Sequence, residues 1–251
     1  MAESILPLKV MSFNIASGLT MDGRLDLELT ASVIEAAEVD IAGLQEVDQN
    51  YSERTNFTDQ ITWLANRLDM HAAFGPNLTA NPADARWPMQ AYGNALLSRH
   101  PITSYQNHLL EKLESGAESE QRGLLEVAIE INGVSIAFFN THLSLKRKQL
   151  ELNIEELLEI IRHKDIPAIL TGDFNADAHS PLMMRIGEEL NNVFGSTALH
   201  PETYKKPGDH GQKIDFIFCS RHWRVLSAET IETEASDHKP ILAVLQLNPE
   251  A

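Results

Sequence analysis

Leu125, Val127, Ile129 and Ile131 alternate with Glu126, Ala128 and Glu130, and the run ends at Asn132-Gly133 before a second apolar stretch, Val134–Asn140. Successive side chains of a strand point to opposite faces, so a period of two marks a half-buried strand. Asn-Gly supplies the positive φ angles of a two-residue hairpin turn. The middle of the chain is thereby committed to antiparallel pairing. Leu8–Asn14, Asp40–Val47, Asn94–Ser98, Ile102–His108, Pro167–Thr171, Lys213–Cys219, Arg224–Thr230 and Ile241–Leu247 read as further strands. Leu27–Ala37 and Asp59–Asp69 have apolar residues at helical spacing, as do Leu150, Ile154, Leu157, Leu158 and Ile161. Helices between strands also permit parallel pairs. The expected class is therefore α/β, with mixed sheets covered by helices.

A chain of 251 residues, 43% hydrophobic, can bury a large core, and one domain over residues 1–251 is expected. No repeat, low-complexity tract or linker interrupts it. Gly75–Tyr92 and Gly195–Gln212, rich in Pro, Gly and Asn, read as long irregular segments and candidate walls of a site. The formal charge of −16 opposes long-range attraction of polyanions, so a phosphate-handling site would need local positive charge from a metal ion or a few Lys and Arg. The single Cys219 can form no internal disulfide and fits a small core residue. Met1–Val10 carries no apolar stretch of signal-peptide length, and no 18-residue apolar span occurs, so a soluble cytoplasmic protein without a transmembrane segment is expected.

Several apolar runs end in polar residues suited to catalysis. Val10–Phe13 ends at Asn14, Ile41–Leu44 at Gln45-Glu46, and Ile136–Phe139 at Asn140-Thr141-His142. Ile169-Leu170 leads to Asp173 and Asn175, Ile214 to Asp215, and Asp237-His238 precedes the last strand. One such end is ordinarily a satisfied turn or cap. Six with compatible chemistry describe a pocket of carboxylates, imidazoles and amides, provided the strand ends converge on one rim. Such groups can activate water beside a cation.

The ordered set Phe13-Asn14-Ile15, Leu44-Gln45-Glu46-Val47, Tyr92-Gly93-Asn94, Asn140-Thr141-His142-Leu143, Gly172-Asp173-Phe174-Asn175, Ile214-Asp215-Phe216 and Ser236-Asp237-His238 resembles the endonuclease/exonuclease/phosphatase superfamily, from about residue 8 to residue 247. The resemblance implies a four-layer α/β/β/α sandwich of two mixed, mainly antiparallel sheets flanked by helices. It implies Mg²⁺, with Mn²⁺ as a substitute, held by Glu46 with Asn14, and with Asp237 near the ion or its water shell. Hard oxygen ligands suit such an ion. It makes His238 the general base, as suits a group titrating near neutrality, with Asp215 orienting it. Asp173 and Asn175 would position the attacking water and the phosphate. His142 would contact phosphate or aid the leaving group, a feature of the deoxyribonuclease and sphingomyelinase branches. Asn94, Tyr92 and Arg122 match phosphate-contacting positions, although Tyr92 serves equally as packing.

Other polar groups fit blander roles. Asp177 and His179 suit a loop, Asp209-His210 a turn, and Lys146-Arg147-Lys148 a solvated helix face or a phosphate-steering patch. Asn14-Ile15-Ala16-Ser17-Gly18 and Leu44-Gln45-Glu46-Val47-Asp48 resemble bacterial members near the sphingomyelinases and glycolipid-anchor-remodelling proteins. The implied activity is phosphodiester hydrolysis on a small or lipid-like substrate, with a nuclease as the main alternative and a non-catalytic binding protein as a remote one. Trp87 and Met89 would supply an apolar wall. Duplex DNA is disfavoured by 36 acids against 20 bases.

Overall fold

The computed structural model describes residues 7–82, 84–113, 119–195, 200–205 and 210–248. Among the described residues, twelve strands form two six-stranded sheets. The first has the order β11(Trp223–Thr230)-β12(Ile241–Leu247)-β1(Leu8–Asn14)-β2(Ile41–Gln49)-β4(Gln90–Ser98)-β3(His71–Ala80). The second has the order β5(Ile102–Leu109)-β6(Gly123–Ile131)-β7(Val134–His142)-β8(Ala168–Asp173)-β10(Asp215–Cys219)-β9(Asn191–Asn192). Among the described residues, only β1 with β2 and β7 with β8 pair in parallel. The Asn132-Gly133 turn joins β6 to β7, with positive φ at both residues.

Three hydrophobic clusters separate four layers. Val10, Ile41, Leu96, Val127, Phe138, Ile169 and Ile217 fill the space between the sheets. Met11, Phe13, Leu44, Ile34 and Leu64 join the first sheet to α1 (Leu27–Ala36) and α2 (Gln60–Leu68). Phe139, Leu170, Phe216, Leu157 and Ile186 join the second to α3 (Arg147–Arg162) and α4 (Pro181–Gly187). The expected α/β/β/α sandwich is what the chain forms. Asp26 and Asp59 start α1 and α2 by accepting the backbone N–H groups of Leu29 and Thr62.

The expected loop at Gly75–Tyr92 is corrected. Gly75–Ala80 completes β3, and β4 begins at Gln90 rather than Asn94. Pro76 cannot donate to a ladder, which hid the strand. It is tolerated because β3 is an edge strand and the register slips between Pro76 and Leu78. Helix α4 was also unread, though Ser180-Pro181 is a start signal: Ser180 accepts from the Met183 N–H and Pro181 opens the helix. Residues 196–199 and 206–209 of the second expected loop, including Asp209, lie outside the described residues.

Between the sheets, the inner faces change character along each strand. On β7 the order is Ile136, Phe138, Asn140, His142; on β8 it is Ile169, Thr171, Asp173; on β1 it is Val10, Ser12, Asn14. Apolar residues fill the middle and polar ones the rim, with a polar seam between. In that seam Asn140 Nδ2 donates to the carbonyls of Leu44 (2.7 Å) and Ala95 (2.9 Å) in the opposite sheet. Its Oδ1 accepts from Gln45 Nε2 (2.7 Å) and Thr171 Oγ1 (3.0 Å). The sheets meet so closely that a Cβ on Gly43 would lie 2.1 Å from Thr171 Oγ1. Gly43→Ala is expected to destabilise the protein by about 1–3 kcal/mol, the usual cost of overpacking, measured as a lower urea midpoint at unchanged slope. An unshifted midpoint would show that the seam can widen freely.

Candidate active site

Strand register brings the polar rim together. Asp173 is paired with His142 on one side and Asp215 on the other, so three motif residues form one row across β7, β8 and β10. Asn14 faces them from the first sheet. Its Nδ2 lies 3.1 Å from Glu46 Oε1, 3.0 Å from Asp173 Oδ2 and 3.4 Å from His238 Nε2. Its Oδ1 accepts from the Ala16 N–H at 3.0 Å, which fixes which end of the amide faces the acids. Glu46 stands at a break in the register between Leu44 and Val47, with a left-handed φ of 58°. That backbone is uncommon for a residue with a long side chain. It turns Glu46 out of the alternation and onto the rim.

His238 Nδ1 lies 3.0 and 3.1 Å from the two oxygens of Asp215, leaving Nε2 toward Asn14 and Asp173. Ser236 fixes the segment: its hydroxyl donates to the Asn14 carbonyl and accepts from the His238 N–H. Burial disfavours the imidazolium, but Asp215 and then Asp173 overcome it and hold His238 up at about 10. Asp173 is raised to about 7, first by burial and then by the charge of Asp215. His142 is pushed well below its ordinary value by burial and by the charges of Arg122 and His238. A neutral ring agrees with its geometry, since Asn175 Nδ2 lies 3.0 Å from His142 Nε2 and also donates to the Leu143 carbonyl. Asn175 holds a left-handed φ of 49° while its N–H donates to Asp173 Oδ1.

Asn94, Arg122 and Tyr92 lie near one another, Asn94 bonded to the residue after Arg122 and Arg122 within electrostatic reach of Tyr92. Asn94 is buried and donates to the Gly123 carbonyl at 3.0 Å. Arg122 is buried, pairs through Nη1 with Glu120 at 2.9 Å, and its Nε has no hydrogen-bond partner among the described residues. Tyr92 is buried against the Tyr51 ring, with the Arg54 guanidinium 5.8 Å over its face. Burial and the charges of Glu46 and Glu120 raise its hydroxyl well above its ordinary value, so it remains a neutral donor. Asp237 is half-buried, and its carbonyl accepts from the Lys205 N–H. The discounted groups stay apart: Asp177 accepts from the His179 N–H in an exposed turn, and Lys146-Arg147-Lys148 is exposed at the start of α3. Cys219 is buried, its thiol pushed up to about 12.

Several supporting residues were not read from the sequence. The Tyr204 ring packs 4.6 Å from that of His238, and Thr203 Oγ1 accepts from the N–H groups of Ile214 and Asp215. Arg54 donates to Ser17 and to buried Asp48. Nothing in local spacing announces these contacts, which cross loops and sheets.

Residues 11–238 match the model of the Endonuclease/Exonuclease/phosphatase family. The chain belongs to this family. The uncharacterized protein YbhP of Escherichia coli K12 is 29% identical over 200 residues, 74% of each chain. The endonuclease/exonuclease/phosphatase from Beutenbergia cavernae is 24% identical with a TM-score of 0.78, over 97% of this chain and 72% of that one. The corresponding protein of Bacteroides vulgatus gives 19% and 0.77, over 96% and 99%. These structural likenesses establish the fold, and membership of the Endonuclease/Exonuclease/phosphatase family makes the chain a phosphoester hydrolase in class. Among the described residues no helix is long and apolar enough to cross a membrane.

The raised Asp173 gives the site a pH signature. Its folded carboxyl keeps a proton where an unfolded one, near pKa 4, has lost it. Its contribution to stability is therefore complete below about pH 4 and lost as pH rises through about 7. Metal-free wild-type protein should lose stability relative to Asp173→Asn across that window, followed by urea midpoints. Parallel profiles for the two proteins would contradict the assignment.

Proposed function

We propose that the protein is a divalent-metal-dependent phosphodiesterase that cleaves a P–O bond by in-line attack of water. The observation that carries this reading is the position of Asn14, whose one amide nitrogen reaches Glu46, Asp173 and His238 from three separate motifs. An amide nitrogen has two hydrogens to donate, so three partners are more than a structural pairing can satisfy at once.

The donor chemistry fits a hard cation. Glu46 is half-buried, Asp237 lies beside His238, and Asp173 resists ionisation because it is buried beside the charge of Asp215. Glu46 would hold Mg²⁺ or Mn²⁺, with Asn14 orienting its carboxylate and Asp237 near the water shell. Such an ion would neutralise phosphate charge, stabilise the leaving oxygen and lower the proton affinity of His238. His238 Nε2 takes the proton of the attacking water, while Asp215 fixes the ring through Nδ1 and stabilises the charge it gains. Asp173 and Asn175 orient the water. Neutral His142, the free Nε–H of Arg122, Asn94 and the Tyr92 hydroxyl bind the phosphoryl oxygens.

A small diester suits this site better than duplex DNA. Affinity for duplex comes from neutralising several phosphates, and Arg122 and Arg54, within reach of Tyr92, are both already paired with acids. The motif kinship with sphingomyelinase-like bacterial proteins supports the same choice. Efficient plasmid nicking with a steep salt slope, alongside negligible small-diester turnover, would replace this substrate class with nucleic acid.

Chelation with EDTA is expected to abolish hydrolysis of a generic diester, and Mg²⁺ or Mn²⁺ to restore it. Glu46→Gln should raise the metal concentration needed for half-maximal activity at unchanged fold. Full activity in chelator would reject the mechanism. His238→Ala should lower kcat by at least about 10², the lower range for positioned acid–base catalysis, with Asp215→Asn impaired in the same direction. Wild-type kcat for His238→Ala in a chemistry-limited assay would remove His238 as the base.

A further inference from the structure

At the start of β4 lies a pocket of about 240 Å³ lined by Asn50, Phe57, Pro82, Trp87, Pro88 and Gln90. Its position follows from sheet register. Asp48 pairs with Tyr92 and Gln49 with Ala91, so Asn50 and Gln90 continue the same two strands one step further. Gln90, Tyr92 and Asn94 lie two residues apart on β4 and share a face. At roughly 3.3 Å per residue, the pocket begins about 13 Å along that face from Asn94. Asn94, Tyr92 and the pocket are thus successive stations along one strand.

The lining chemistry is specific. Trp87 and Phe57 are exposed, with ring centroids 6.5 Å apart, and two prolines complete an apolar wall. The polar groups in the lining are two amides, each offering a donor and an acceptor, and no lining side chain is charged. An acyl chain would leave those amides unused. A second phosphate would find no cation there. A flat ring with an uncharged polar edge satisfies both wall and amides, because ring faces stack on Trp and amides read ring edges.

We propose that this pocket recognises the group esterified to the phosphate, and that it takes a planar heteroaromatic ring of the nucleobase type, stacked on Trp87 with Asn50 and Gln90 on its polar edge. The substrate would then be a small nucleotide-like phosphoester. The inference rests on the phosphoesterase reading for its purpose, while binding itself requires no catalysis.

Two measurements separate the claims. The chain has three tryptophans, Trp63, Trp87 and Trp223, so its indole N–H signals in ¹⁵N-labelled protein can be assigned by loss of one peak in Trp87→Phe. With EDTA present, adenosine 5′-monophosphate should shift the Trp87 signal and methyl phosphate should not. A Trp87 signal that stays still, or moves equally with both, overturns the pocket assignment. In the second, turnover of thymidine 5′-(methyl phosphate) and of ethyl methyl phosphate is followed by ³¹P NMR in wild type and Trp87→Ala. Loss of stacking should lower kcat/KM for the nucleoside ester about tenfold, and at least fivefold more than for the ethyl ester. Equal losses overturn the proposal. If wild type turns over neither ester, the diesterase reading falls, and the Trp87 signal still decides the pocket.

Discussion

The geometry of the polar rim depends on how the two sheets are held against each other, and the side chain of Asn140 is the tie. It spends both amide hydrogens on carbonyls of β2 and β4 and its oxygen on Gln45 and Thr171. Two apolar sheet faces packed together can slide at modest cost, since the hydrophobic effect is non-directional. Buried hydrogen bonds cannot slide without leaving polar groups unpaired, at about 1–3 kcal/mol each. The seam thus turns a greasy contact into a fixed register. Two residues beyond Asn140, on the same strand face, stands His142. The first sheet supplies Asn14 and Glu46, the second Asp173 and Asp215, and a slip along the strands would part them.

The site itself is strained by its own charge. Asp173 and Asp215 are buried neighbours, and the response is visible in both: Asp215 is matched by the His238 ring, and Asp173 is pushed toward its neutral form. Glu46 and Asn175 add two left-handed residues, each a conformation costing about 1–3 kcal/mol where the side chain is not suited to it. For Asn175 the cost is small, because Asn tolerates that region and its side chain bonds locally. Glu46 has no such excuse. The large apolar cluster between the sheets carries these penalties, and a positive charge placed near Glu46 would relieve the electrostatic part.

Legibility in the sequence followed the same division. Asn14 after Val10–Phe13 and Asp173 after Ile169-Leu170 are legible in the sequence, because an apolar run that stops at a polar residue marks where a buried strand reaches a rim. That the six polar ends meet at one rim could not be read from periodicity, which reports which way a side chain faces and nothing about which strands adjoin. The order of the motifs supplied it through family resemblance. Strand β3 was misread because Gly75, Pro76 and Asn77 look like a turn in isolation; an edge position and a register slip make them acceptable in a sheet. Tyr204 and Thr203 support His238 and Asp215 from a loop whose sequence carries no period at all, so only three-dimensional contact reveals them.

The acidity of the chain and the chemistry of its rim point the same way. With 36 acids against 20 bases, the far field repels any long polyanion before it reaches the site, and at physiological salt such fields fade over about 8 Å. On the proposed reading, a substrate with one phosphate would meet that repulsion once and then a wall where Arg122, its charge matched by Glu120, stands with neutral His142 and the Tyr92 hydroxyl as hydrogen-bond donors. Specificity must then come from contacts that do not depend on net charge. On β4 the proposed contacts lie in line, Asn94 and Tyr92 for the phosphate and Gln90 at the pocket of Asn50, Phe57, Trp87 and two prolines. If both proposals hold, a short strand that passes from amide to phenol to amide would read a substrate along its length, the phosphate at one end and its ester group at the other.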